Sequence, residues 1–163
     1  MTVRWKLAAG DEIRDLVATY AHLGDPGQLD GLCALFAPDG VLELDDGRTF
    51  NGRDALHAFL IATRDALAAD AARPLIRHHV SSVQVTVDDP GHAHGASYFF
   101  VVTERGPDHW GRYRDRYVRV DERWLFAHRR VRVDGMAPGS WAAERRGQTP
   151  QGGGGSEGGT GPA

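Results

Sequence analysis

A histidine held by a carboxylate can move protons near neutral pH, and a phenol beside the pair can donate to an oxygen on which charge develops. The chain places these groups at intervals that allow such a meeting. Tyr20 and Asp25 bracket the end of one amphipathic segment, and His78, next to His79, opens a long stretch of strand-like sequence. Asp115 and Arg129 face each other's segments further on. Each group also has an ordinary use. Tyr20 fits a core ring with its hydroxyl at the rim, Asp25 before Pro26 fits a turn, and His78 fits a solvent-facing strand start. A cross-strand ion pair serves Asp115 and Arg129 equally well.

Other chemistries find little support. Cys33 is the sole cysteine, which rules out an internal disulfide and a Cys-rich metal site. There is no P-loop, no GxGxxG after a strand and no HExxH. His92-Ala93-His94 follows Pro90-Gly91 without a carboxylate or cysteine at ligand spacing, and reads as solvated. Neither a metal nor a cofactor is expected. A formal net charge of -3 provides no broad basic field, so a nucleic-acid partner is not expected. No run of 18 apolar residues occurs, and no apolar stretch follows Met1–Lys6, so the expectation is a cytoplasmic protein without a membrane partner.

The elements that must position these groups are readable from periodicity. Ile13, Leu16, Val17, Tyr20 and Leu23 form one stripe and predict a helix from about Asp11 to Leu23, stopped by Gly24-Asp25-Pro26-Gly27. A second helix fits Leu29–Phe36 and a third Arg53–Ala68, the latter with Leu56, Phe59, Leu60 and Leu67 on its buried face. Between them, Val41–Leu44 and Arg48–Phe50 flank Asp45-Asp46-Gly47 as a hairpin. The period then changes. Ile76–Val87, His94–Glu104, His109–Val120 and Trp124–Val133 read as long strands separated by turn chemistry. Helices first and an antiparallel meander after predict an α+β fold, with three N-terminal helices on one face of a curved antiparallel sheet. Along the third long strand, alternation puts Tyr113, Asp115 and Tyr117 on one face and Arg112, Arg114 and Arg116 on the other. The domain is expected to span 1–134, with a flexible Gly-rich tail over 135–163.

Four stretches carry a family resemblance. Tyr20 to Phe36, Asn51-Gly52-Arg53-Asp54-Ala55-Leu56, Arg77-His78-His79-Val80, and Gly111 to Tyr117 with Trp124 resemble, in order, the conserved pieces of nuclear-transport-factor-2-like (NTF2-like, SnoaL-like) domains. The resemblance covers Asp11 to Asp134 and implies a cone-shaped α+β barrel around a pocket for a small apolar molecule. Its members include scytalone dehydratase, bile acid dehydratase, ketosteroid isomerase, polyketide cyclases and non-catalytic binding modules. The resemblance therefore implies a cofactor-independent acid/base enzyme, a dehydratase, isomerase or cyclase. The alternative it leaves is a ligand-binding or scaffolding protein. It assigns Tyr20, Asp25 and His78 to catalysis; strand alternation adds Asp115, with Arg129 as its cross-strand partner, as further candidates. Phe36, Phe59, Tyr98 and Tyr113 are expected to wall the pocket. A homodimer through the sheet is also expected. Two departures stand out. Where the isomerases carry a base aspartate the chain has Leu44, with Asp45 one step late, and where scytalone dehydratases have a tyrosine it has Gly24.

Overall fold

The computed structural model describes residues 2–69 and 75–147. In chain order these form helix α1 (Thr2–Gly24), helix α2 (Leu29–Ala34), strands β1 (Phe36–Glu43) and β2 (Thr49–Asn51), and helix α3 (Arg53–Ala68). Strands β3 (Arg77–Asp89), β4 (His92–Thr103), β5 (Gly106–Val120) and β6 (Arg123–Met136) follow, then helix α4 (Trp141–Gly147). The strands make a six-stranded sheet in the order β2-β1-β6-β5-β4-β3. The core lies between this sheet and the N-terminal helices, where Ile13 and Val17 of α1, Leu56 of α3, Phe36 of β1 and Phe126 of β6 are almost fully buried.

The α+β layering follows the expectation, and four details differ from it. Helix α1 begins at Thr2, well before Asp11, because Ala9 extends the buried stripe and Lys6 donates its ammonium to the Val87 carbonyl of β3 at 2.9 Å. Helix α2 stops at Ala34, and Phe36 already belongs to a strand. The Phe126 amide donates to the Leu35 carbonyl at 2.9 Å, which draws this segment onto β6 and out of helical geometry. Within β1, Pro38-Asp39-Gly40 forms an irregularity between the Phe36–Phe126 and Val41–His128 pairs. Gly40 is required there, since a Cβ would sit 2.8 Å from the Phe126 carbonyl oxygen. The sheet is also not wholly antiparallel, because β1 runs parallel to β6.

The fourth difference is at the C-terminus. Strand β6 and helix α4 carry ordered structure past residue 134, so the boundary expected there falls inside the last strand. The Gly-rich stretch expected to be a tail, 152–163, lies outside the described residues.

Candidate active site

Helix α1 ends at a glycine, and the chain reverses through Asp25–Gln28, with the Gln28 amide closing on the Leu23 carbonyl at 2.9 Å. That reversal aims Asp25 at the first residues of β3. One carboxylate oxygen accepts the backbone N–H of His78 at 3.1 Å, and the other meets the His78 ring at Nδ1, 2.6 Å away. Two bonds to a single residue fix the ring's orientation. Burial by itself would push the Asp25 carboxyl up. The ring and backbone bonds from His78, helped by the charge of Arg77, outweigh it and hold the group below the usual carboxylate range. Asp25 is therefore an anion at neutral pH and accepts from Nδ1–H. This leaves Nε2 as the basic nitrogen of the neutral ring.

Both residues line a cavity of about 520 Å³. Its walls are apolar, with Leu32 of α2, Leu60 of α3, Ile76, Phe99 of β4, and Val131 and Val133 of β6 among them. Tyr20 and Tyr113 line it too, and Arg64 of α3 stands at it with its side chain half exposed. A mainly greasy cavity of this volume with a few convergent polar groups is the ordinary form of a small-molecule site. Burial raises the pKa of both phenols. At physiological pH they are hydrogen-bond donors rather than bases.

The sequence reading missed a second histidine. His109, near the start of β5, lines the same cavity, its ring 6.5 Å from that of His78 and nearly perpendicular to it. Its Nδ1 lies 2.8 Å from a carboxylate oxygen of Asp108, a residue with no exposed surface. The signal was available. The alternation that set Tyr113, Asp115 and Tyr117 on one face also places His109 there, two steps before Tyr113. The strand was read from His109 onward, but the face was followed only from Tyr113.

Other expected site residues are placed elsewhere. Asp115 and Arg129 do meet, with Nε to Oδ1 at 3.0 Å and Nη2 to Oδ2 at 2.8 Å, but both side chains are fully buried and line no part of the cavity. They lie behind its floor. The guanidinium carbon sits about 4 Å from the ring centres of Tyr20, Tyr113 and Phe126, and Tyr117 donates its hydroxyl to Asp115 at 3.0 Å. Their reach to a bound molecule runs through the two phenols, not by contact. Phe36 is buried beneath Tyr20 and Phe126 rather than in the wall, because β1 carries it into the core. Phe59 stacks on Phe50 at 4.0 Å and covers the hairpin instead of the cavity. Tyr98 points to the opposite side of the sheet and is 60% exposed; its neighbour Phe99 is the wall residue. Successive side chains of a strand point to opposite faces, so the one-residue difference moves the wall from Tyr98 to Phe99.

Asp45, one step from the isomerase position, accepts the Val133 amide at 3.2 Å and lines no part of the cavity. His92 and His94 are exposed and sit beside Asp89 and Asp88. Among the described residues no group of three or more His, Cys, Asp or Glu side chains is arranged to hold a metal ion, and no helix is long and apolar enough to cross a membrane.

Helices laid over a bent sheet, enclosing an apolar cavity with a histidine–carboxylate pair at its edge, define a small-molecule-handling α+β domain. The chain belongs to the SnoaL-like domain family, whose pattern matches residues 5–130. Its fold is shared with a candidate scytalone dehydratase from Novosphingobium aromaticivorans DSM 12444, at 23% identity and a TM-score of 0.72, over 84% of this chain and 91% of that one. An NTF2-like protein with a cystatin-like fold from N. aromaticivorans is 27% identical, with a TM-score of 0.68, over 88% and 92% of the two chains. A protein from Catenulispora acidiphila, solved in complex with S-DNPA, is 25% identical, with a TM-score of 0.67, over 78% and 95%. No curated protein matches the chain.

Proposed function

We propose that the chain is an enzyme that moves protons on a small hydrophobic, polyketide- or steroid-like molecule, in a dehydration, isomerisation or ring closure that needs no cofactor. The observation that carries this reading is the 2.6 Å contact between His78 Nδ1 and Asp25 at the edge of an apolar cavity. With Nδ1–H given to Asp25, Nε2 of His78 takes a proton from carbon next to a substrate carbonyl. The electron pair moves toward the carbonyl oxygen, where Tyr20 or Tyr113 donates a hydrogen bond as negative charge gathers. In a dehydration the imidazolium then returns the proton to the departing hydroxyl, which leaves as water. His109 lies across the cavity as a second group able to take or give that proton. The complex of a relative with S-DNPA supports a small-molecule ligand, and the apolar walls of the cavity suit a hydrophobic one. Two copies are proposed to pair through the outer face of the sheet.

The test is turnover on a panel of polycyclic and polyketide-type hydroxyketones. His78→Ala is expected to lower kcat at least about 100-fold, the usual contribution of one acid/base group, while thermal unfolding and ligand affinity hold. Full activity in the variant rejects the mechanism. Tight ligand binding by wild type with no turnover of any panel member would instead make the chain a binding protein.

A further inference from the structure

The described part of the C-terminus returns to the cavity's second histidine by an indirect route. Asp108 is wholly buried, yet it lines no part of the cavity. Its carboxylate is shared between two elements: one oxygen meets His109 Nδ1 at 2.8 Å, and the Ala142 amide in the first turn of α4 approaches both oxygens, at 3.3 and 3.4 Å. Its backbone carbonyl accepts the Ala137 amide at 2.8 Å, which holds the chain entering α4 against β5. Two contacts fix the helix itself. Ser140 Oγ accepts the Ala143 amide at 3.2 Å, as an N-cap hydroxyl does, and Arg105 pairs with Glu144 at 3.0 Å. A buried carboxylate must be hydrogen-bonded or neutralised. Here its partners are a helix on one side and a cavity histidine on the other.

We propose that Asp108 is a positioning residue for His109, and that α4, which lies outside the cavity, sets the proton-carrying state of that histidine through it. With α4 in place the carboxylate is dry and aligned, so it selects the Nδ1–H tautomer of the neutral ring and favours the imidazolium when a proton arrives. Among the described residues, the titratable and charged groups around His109 include His78 with its Asp25 across the cavity, Tyr113 on the same strand, Arg64 of α3, and the Arg105–Glu144 pair beside α4. Asp108 bonds both His109 and the first turn of α4, so the His109–Asp108–α4 path is a direct connection. The functional meaning of this path rests on the acid/base reading above; its physical existence does not.

The test therefore uses ring NMR of the full chain, without substrate. In wild type, two-bond nitrogen–proton correlations are expected to show neutral His109 as the Nδ1–H tautomer, and the Ala142 amide resonance is expected to move along the His109 titration curve. In Asp108→Asn, which keeps an oxygen acceptor but removes the charge, His109 is expected to lose about tenfold in proton affinity, a shift of about one pKa unit. The Ala142 response disappears, and the His78 resonances stay where they were. An Nε2–H tautomer in wild type, or an Ala142 amide indifferent to the titration, overturns the proposal even if the variant does not fold. An unshifted His109 in a folded Asp108→Asn overturns it too. Failure of the acid/base reading would look different, with these couplings intact and no turnover.

Discussion

Two ionisable contacts make pH the most direct probe at the residue scale. The folded value of Asp25 is depressed, so its contribution to stability is present above the unfolded carboxylate value, about 3.9, and is lost as pH falls through the folded value. Urea midpoints of wild type and Asp25→Asn should differ around neutral pH and converge in acid solution, below the ordinary carboxylate value of about 3.9. A gap independent of pH would mean that the charge of Asp25 contributes nothing. The phenols behave in the opposite sense. Tyr20, Tyr113 and Tyr117 are raised by burial, so the stability linked to their neutral forms is present below the unfolded tyrosine value, about 10, and declines above it. Three of the four tyrosines should resist ionisation in an absorbance titration until the fold gives way. That Tyr20, Asp25 and His78 share one cavity was legible through the family resemblance, because stripe, turn and strand start alone give each of them an ordinary use. The face of His109 was legible from alternation along its strand, whereas the burial of its partner Asp108, which reads locally as a turn residue, was not. Only the docking of the C-terminal segment buries that partner.

At the scale of elements, the sheet is joined behind the cavity by the Asp115–Arg129 pair, which links β5 to β6 with no solvent on either side chain. Removing one partner strands the other charge. Arg129→Met is expected to destabilise by about 3–5 kcal/mol in chemical unfolding, and Asp115→Asn by a similar amount. The double change to well-packed apolar residues should recover most of that loss. Near-wild-type stability in both single variants would show that the pair is dispensable. The paired faces of β5 were readable from alternation alone, and so were the turns between the long strands. The N-terminal half was harder to read. Phe36 continues the apolar pattern of α2 and becomes a strand residue because Phe126 of β6, ninety positions later, pairs with it. The parallel pairing of β1 with β6 is a long-range outcome of the same kind, and no local propensity encodes it.

For the molecule as a whole, the question is what the outer side of the sheet is for. Tyr98 and Phe100 of β4 are exposed there beside Trp110 of β5, and the register sets Phe100 directly opposite Trp110. Gly135 of β6 makes room for the indole, since a Cβ at that position would collide with it. Next to the aromatics, Arg112 is drawn to Asp134 at 3.2 Å, which reduces the charge at the patch's edge. Contiguous exposed aromatics bordered by paired charges favour burial against a like surface, and a twofold arrangement places each patch on its copy. Light scattering on the eluted peak is therefore expected to give twice the 17.8 kDa of the chain. A variant carrying Tyr98→Glu and Trp110→Glu should elute at the single-chain mass. Its circular dichroism should not change, because neither side chain belongs to the core. His78 and Asp25 face the other side of the sheet, so the separated variant should also keep the cavity's ligand affinity. A wild type that runs as a single chain at micromolar concentration removes the dimer while leaving the cavity chemistry untouched.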